Sequence, residues 1–386
     1  MNPLLPRRCW AEVDLTALRG NLSWLRHRVG RSVKILTVVK ADAYGHGLKQ
    51  IAAVLMQSGT DMFGVANLAE ARALRSVGRG WPVLMLGPCL PDEIAAAVRD
   101  DVRPTLSSVA EAHAFHLEAV HQNRLVPVHV KIDTGMGRLG ADPARALELV
   151  RTIRQLPKLR LEGLYTHFAA AEDDAGFTGR QQRRFHQLLR RVRALGVRVP
   201  LTHSANSAAV LHETPASRNG SLTLIRPGLL VYGVLPVGSR GDVAVFRKYF
   251  QPALALKCRV GMVKPIPRGT SLSYGRTFVA PRAMRVATLT AGYGDGYLRA
   301  GSNRASVLVH GRRCRVLGRI TMDQTLVDVT GLPEVQPGDE AVLIGRQGEE
   351  EITANELAAW CRTIPWEVLT AITQRVPRLY RGGEAA

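Results

Sequence analysis

The chain has 386 residues, 52 Lys and Arg against 32 Asp and Glu, a formal net charge of +20, and only 5% aromatic residues. That length exceeds what one core usually serves and predicts two domains, while no run approaches the ~20 apolar residues that span a bilayer, so no membrane partner is expected. The charge raises nucleic acid as a partner, but the densest basic stretch, Arg180–Arg198, carries Phe185, Leu188, Leu189, Val192 and Leu195 at helical spacing, so its arginines read as the solvated face of an outer helix and no nucleic-acid partner is expected.

From the N-terminus, Arg7 and Arg8 are followed by no apolar stretch, and Glu12 and Asp14 already bring acid. No export signal is read, and the expected location is the cytoplasm. Eight short runs rich in Val, Ile and Leu then recur: Ile35–Val39, Met62–Ala66, Val83–Leu86, Val102–Leu106, Val128–Ile132, Leu161–Tyr165, Leu201–Ser204 and Leu222–Ile225. Helical patterns lie between them at Leu48–Ser58, Leu68–Ser76, Asp92–Arg99, Val109–Val120, Pro143–Leu156 and Gly179–Leu195. Strands alternating with helices predict an α/β fold with a parallel sheet, and eight such units fit a closed (β/α)8 TIM-type barrel of ~250 residues. An open doubly wound sheet is the alternative, disfavoured because no GxGxxG follows the first strand.

From about Phe250 the pattern changes to strand-like runs separated by Gly, Pro and Asp turns: Ala253–Val263, Met284–Leu289, Ala305–Val309, Arg315–Leu317, Gln324–Val329 and Glu340–Ile344. These predict a C-terminal, mostly β domain. The sequence GSRGD at Gly238–Asp242 reads as the linker, giving a barrel over 1–242 and a β domain over 243–386. The five cysteines, Cys9, Cys89, Cys258, Cys314 and Cys361, show no zinc spacing; they read as reduced packing residues, and no metal is expected.

Active sites of such barrels lie at the C-terminal ends of the strands. There the chain places Lys40, then Lys131, Asp133 and Arg138, then His167, then His203, Asn206 and Ser207, then Arg226 and Gly228. A lone lysine ending a strand is usually a solvated terminus, a lone histidine usually a hydrogen-bonded core residue, and a glycine usually serves a turn. Their convergence on one face changes that reading. A lysine in an apolar pocket loses its proton more readily and forms a Schiff base with an aldehyde, which is how pyridoxal phosphate (PLP) is tethered. The Ser207 hydroxyl, the Tyr44 phenol and the backbone N–H groups of the Gly228–Leu229–Leu230 turn offer a phosphate cradle, and Arg226 is then placed for the pyridine ring.

The string VVKADAYGHG resembles the PLP-attachment signature of alanine racemases, and WAEVDLTAL, KIDTGMGRLG, THFA, SANSAA, RPGLLVYG, SYGRTF, GYGDGY, GRITMDQ and RVPR match that family in order along nearly the whole chain. The resemblance implies interconversion of L- and D-alanine, D-alanine being a peptidoglycan precursor, and a homodimer whose active site joins one barrel to the partner's β domain. It implies Lys40 as the Schiff-base lysine acting on one face of the substrate and Tyr274, from the other subunit, on the opposite face. Arg138 resembles the arginine that contacts cofactor and substrate carboxylate, Lys131 a lysine that is often carbamylated, Met322 the residue whose N–H meets the substrate carboxylate, and Tyr293 part of the substrate entrance. His167 and Arg226 are the cations expected to favour a Tyr274 phenolate, and His167 and Asn206 are counted with the cofactor site.

One departure concerns the triplet before RVPR. The family usually has a tyrosine whose hydroxyl touches the cofactor phosphate; this chain has Trp366, between Pro365 and Glu367. A broad-specificity amino-acid or serine racemase on the same scaffold is therefore the enzyme alternative, and a non-catalytic PLP-binding protein the alternative of another class.

Overall fold

The computed structural model describes residues 7–212, 222–236, 238 and 244–382. Eight parallel positions close a barrel. Strands β2 (Lys34–Val38), β3 (Met62–Val65), β4 (Val83–Met85) and β5 (Val102–Arg103) pair in that order, with β10 (Leu224–Ile225) on the other side of β2. Pro104 interrupts one strand position, because proline has no N–H for the ladder. β6 (Thr105–Leu106) continues the position and pairs with β7 (Val126–Lys131), followed by β8 (Leu159–Tyr165) and β9 (Leu201–His203). The ring closes between β9 and β10, where Thr223 N–H donates to Thr202 O at 2.9 Å and Arg226 N–H to Ala205 O at 2.9 Å.

The helices wrap this ring for the reason the sequence gives: each buries one apolar stripe. Ala146–Gln155 buries Leu147, Leu149, Val150 and Ile153, and Ala175–Ala194 buries Phe185, Leu188, Leu189 and Val192 while its arginines stay outside. Leu15–Val29, which precedes the first barrel strand, packs beside Leu48–Gln57 and reaches Ser207–His212 through Arg28 Nη2 to Leu211 O, 3.4 Å. Asp14 caps it, its carboxylate accepting the N–H groups of Thr16 and Ala17.

The second sheet is built around β11 (Leu254–Ile266). β1 (Cys9–Asp14) pairs with it antiparallel, and β20 (Arg378–Arg381) pairs parallel with β1. A strand that precedes the barrel thus belongs to the C-terminal sheet, which ties both ends of the chain together. Of the expected linker, Gly238 alone falls within the described residues. The strand expected at Arg315–Leu317 lies instead at Arg312–Arg315, paired with Ser306–Val309, and Val316 makes only a bridge to Val327. Two short helices, Ala354–Cys361 and Pro365–Thr370, complete this mostly β region.

Candidate active site

Lys40 follows β2 and opens an unusual turn. Ala41, Asp42, Ala43 and Tyr44 all have φ between 52° and 54°, one turn of left-handed helix without a glycine. Each such residue costs ~1–2 kcal/mol, so the surroundings must hold it. Glu70, at the start of the next barrel helix, does so by accepting Ala41 N–H at 2.7 Å and Ala66 N–H at 2.7 Å, while Asp42 Oδ1 accepts Leu48 N–H at 2.7 Å. The turn carries Lys40 at its start and Tyr44 at its end, where the Tyr44 hydroxyl abuts Gly228 so closely that a Cβ there would sit 2.5 Å from it. Ser207 Oγ meets the same corner, accepting N–H from Gly228 at 2.9 Å and from Leu230 at 3.4 Å. Tyr44, Ser207 and the Gly228–Leu229–Leu230 turn therefore meet at one corner, rich in hydroxyl and backbone groups of the kind that suit a phosphate.

Four cations share the barrel mouth. Burial, then the Arg138 guanidinium, pull the Lys40 amine below its ordinary value, with Glu70 acting the other way. Lys131, at the end of β7, is 4% exposed and is pushed down to about 8 by burial and by Arg226 and Arg138. Arg226 is buried and held in place: Nη1 donates to His203 Nδ1 at 2.8 Å, and Nη2 to Thr166 O at 2.8 Å, Ser204 O at 3.2 Å and His167 Nδ1 at 3.2 Å. Arg138 sits on the loop after Asp133, whose carboxylate gathers the N–H groups of Gly135, Met136 and Gly137. Burial opposes ionisation of Asp133, and those three amides overcome it.

One expectation changes here. His167 does reach Arg226, but burial and the cations Arg226 and Lys131 drive its imidazole well below its ordinary value, so it is neutral and cannot be the cation that favours a phenolate. Asn206 lies beside Ser207, yet its side chain is engaged locally: Oδ1 accepts Ala209 N–H at 3.0 Å and caps Ser207–His212. Trp366, on the helix Pro365–Thr370, lies near the Tyr44 hydroxyl and favours its ionisation, against the larger effect of burial. It reaches the cradle through that phenol.

The remaining residues lie on the second sheet's loops. Tyr274 is 70% exposed, Met322 53% and Tyr293 41%, and among the described residues the Tyr274 side chain makes no hydrogen bond or ring contact. Tyr293 and Met322 occupy adjoining turns, Tyr293 N–H donating to Thr321 O at 3.0 Å and Gly294 N–H to Met322 O at 2.8 Å. Arg375, passed over in the sequence, clamps both turns: it grips the buried Asp295 with two bonds of 2.8 and 2.9 Å, pairs with Asp323 at 2.9 Å and donates to Met322 O at 3.4 Å. Its signal was the RVPR motif itself, neither arginine of which had an assigned role. Glu70 was also missed; a glutamate three residues into a helix reads as an ordinary capping residue. No group of His, Cys, Asp and Glu side chains that could hold a metal occurs among the described residues, and no helix there is long and apolar enough to cross a membrane.

Comparison with known proteins covers both units. Residues 13–236 match the family "Alanine racemase, N-terminal domain" and residues 253–380 "Alanine racemase, C-terminal domain". The chain is 40% identical over 382 residues to an alanine racemase of Halothermothrix orenii, covering 99% of each, and 41% identical over 381 residues to one of Symbiobacterium thermophilum, covering 98% of each. Among solved structures, an alanine racemase of Clostridium difficile 630 superposes with a TM-score of 0.89 at 32% identity over 98% of this chain and 97% of that one. One from Bartonella henselae, solved with covalently bound pyridoxal phosphate, gives 0.86 at 27% identity over 97% of this chain and 100% of that one. The two family models together cover residues 13–236 and 253–380, and the chain belongs to the alanine racemase family.

Proposed function

We propose that the chain interconverts L- and D-alanine with PLP attached at Lys40, supplying D-alanine for peptidoglycan in the cytoplasm, and that residues 1–242 bind the cofactor while 243–386 complete the site of a partner copy. The observation that carries this reading is that one strained turn carries at its two ends a half-buried lysine whose pKa is lowered, Lys40, and a tyrosine of the Ser207–Gly228–Tyr44 cradle. The cradle fits the group by a simple test: a side chain at Gly228 would strike the Tyr44 hydroxyl, and Ser207 already engages the backbone N–H of Gly228. When bound, PLP supplies an electron sink that acidifies the substrate Cα–H.

This chain's own residues then divide the work. Lys40 Nζ holds or delivers a proton on one face of the substrate, burial and then Arg138 making its neutral amine easier to form than in water. Tyr274 of a partner copy serves the opposite face; its exposure in a single chain leaves it free to enter another barrel. Arg138 and the Met322 N–H would hold the carboxylate, and Tyr293 would narrow the approach. Arg226 would meet the ring nitrogen. A guanidinium does not surrender a proton there, so Arg226 would leave the cofactor a weaker electron sink and favour return of the proton to Cα over transamination. With His167 neutral, Arg226, Lys131 and Arg138 are the cations left to favour a phenolate. Trp366 supports the cradle through Tyr44.

Lys131 is the residue we assign to carbamylation. Its amine, at about 8, is partly neutral at physiological pH, and addition of CO2 with loss of a proton would turn one of four crowded cations into an anion beside Arg138. The comparisons favour alanine racemase over the broader amino-acid or serine racemase. The test is loss of optical rotation from L- and D-alanine combined with borohydride trapping: the same rate law from both enantiomers and a reduced PLP adduct mapped to Lys40 are expected, and an adduct on any other lysine would overturn the assignment.

A further inference from the structure

We propose that Glu162, three residues before the end of β8, is a positioning residue that fixes the tautomers of two buried histidines and through them the hold on Arg226. The geometry is a directional chain of hydrogen bonds across the barrel interior. Arg226 is donor only, so its Nη1, 2.8 Å from His203 Nδ1, requires that nitrogen to be bare. His203 then carries its proton on Nε2 and donates to His129 Nδ1 at 3.0 Å. His129 in turn carries its proton on Nε2, 3.2 Å from Glu162 Oε2. Glu162 also accepts Arg103 Nε at 2.7 Å, so the chain terminates on an anion gripped from both sides.

Every link is constrained. Both imidazoles are fully buried, and the His203 ring stacks on Tyr165 at 4.6 Å with an interplanar angle of 4°. Gly163 leaves the space that the His129 ring fills, since a Cβ there would lie 2.3 Å from its Nδ1. Reversing either ring's tautomer would bring two N–H groups, or two lone pairs, face to face in a site that admits no solvent to either imidazole; an unsatisfied buried polar group costs ~1–3 kcal/mol. Glu162 supplies the only acceptor in the chain that cannot donate back. Burial works against its ionisation, but His129 and Arg103 keep it an anion. Remove that acceptor and the His129 Nε2–H is left buried without a partner, so the tautomers are held from the Arg226 end alone and the reversed set, with an N–H facing the guanidinium, gains population.

The consequence for the reaction rests on the reading that Arg226 meets the cofactor ring. The test uses the PLP-loaded protein with ¹⁵N-histidine NMR and racemisation kinetics on the wild type, Glu162→Leu and Glu162→Gln. In the wild type His203 is expected with a bare Nδ1 and a protonated Nε2. Glu162→Leu should move proton density to Nδ1 and lower kcat about tenfold with KM little changed, the size of coupling expected within one hydrogen-bonded network; Glu162→Gln, whose amide oxygen still accepts, should recover the tautomer and most of kcat. Wild-type His203 protonated at Nδ1, or equal effects of Leu and Gln, would overturn the proposal, and the wild-type measurement alone suffices if Glu162→Leu does not fold. Borohydride trapping at Lys40 is read separately: its failure would sink the cofactor assignment, whereas the tautomer pattern judges the Glu162 chain alone.

Discussion

The barrel mouth and the exposed turns of the C-terminal sheet, to which the proposed function gives complementary halves of one chemistry, are built in opposite ways. At the mouth Lys131, Ser207 and Arg226 are buried and most groups are tied: Arg226 makes four hydrogen bonds, Ser207 accepts two backbone amides and Glu70 pins the strained turn after Lys40. Tyr274, Met322 and Tyr293 are instead half to largely exposed, the turns of Met322 and Tyr293 braced from behind by Arg375. A group that must keep an unusual protonation state needs a dry, preorganised setting; a group that must enter another molecule's pocket needs a free surface on a rigid support.

That contrast can be broken at each end. Lys40→Ala should remove the borohydride-trapped adduct and lower racemisation about 10³-fold or more while the far-ultraviolet circular dichroism stays that of the wild type. Tyr274→Phe should cost on the order of 10²–10³-fold in kcat, leaving thermal stability unchanged because the lost hydroxyl belongs to an exposed side chain with no intrachain bond. Either variant retaining most of the activity would remove its residue from the proton relay.

Smaller effects sharpen the comparison. Arg375→Ala should raise KM for alanine about tenfold by loosening the Met322 turn, with little effect on cofactor trapping; a change in trapping instead would show that the clamp serves the barrel. Acid should damage the barrel first. Burial depresses His46 to about 4 and holds His129, His167 and His203 below their ordinary values as neutral rings. The unfolded chain therefore binds more protons below about pH 6.5, and stability falls as pH drops from there toward 4. The second unit has one histidine, His310, on its surface between Glu334 and Asp339. A melting temperature that is flat across that window would contradict the neutral-histidine interior.

Most of the barrel was legible because its strands are nearly continuous apolar runs buried on both faces, so that Ile35–Val39 or Leu161–Tyr165 needs no partner to be recognised. Cys9–Asp14 gave no such run, and its partners, β11 and β20, lie more than two hundred residues away in sequence. Arg312–Arg315 is mostly arginine, held as a strand by its hairpin with Ser306–Val309. Lys40, Arg226 and Ser207 stood out because each follows a strand. Glu70, Glu162 and Arg375 did not, since their meaning depends on which amide, imidazole or carboxylate the fold brings opposite them. The neutrality of His167 was likewise invisible, being a product of burial among cations.

The claim that one barrel needs another copy's tyrosine is tested most directly by mixing two inactive variants. Lys40→Ala and Tyr274→Phe proteins, combined under conditions that let subunits exchange, should regain about a quarter of wild-type activity, because half of randomly formed dimers would contain one intact composite site of two. If subunit exchange is verified and activity stays at the sum of the two parents, the lysine and the tyrosine do not meet across a subunit boundary.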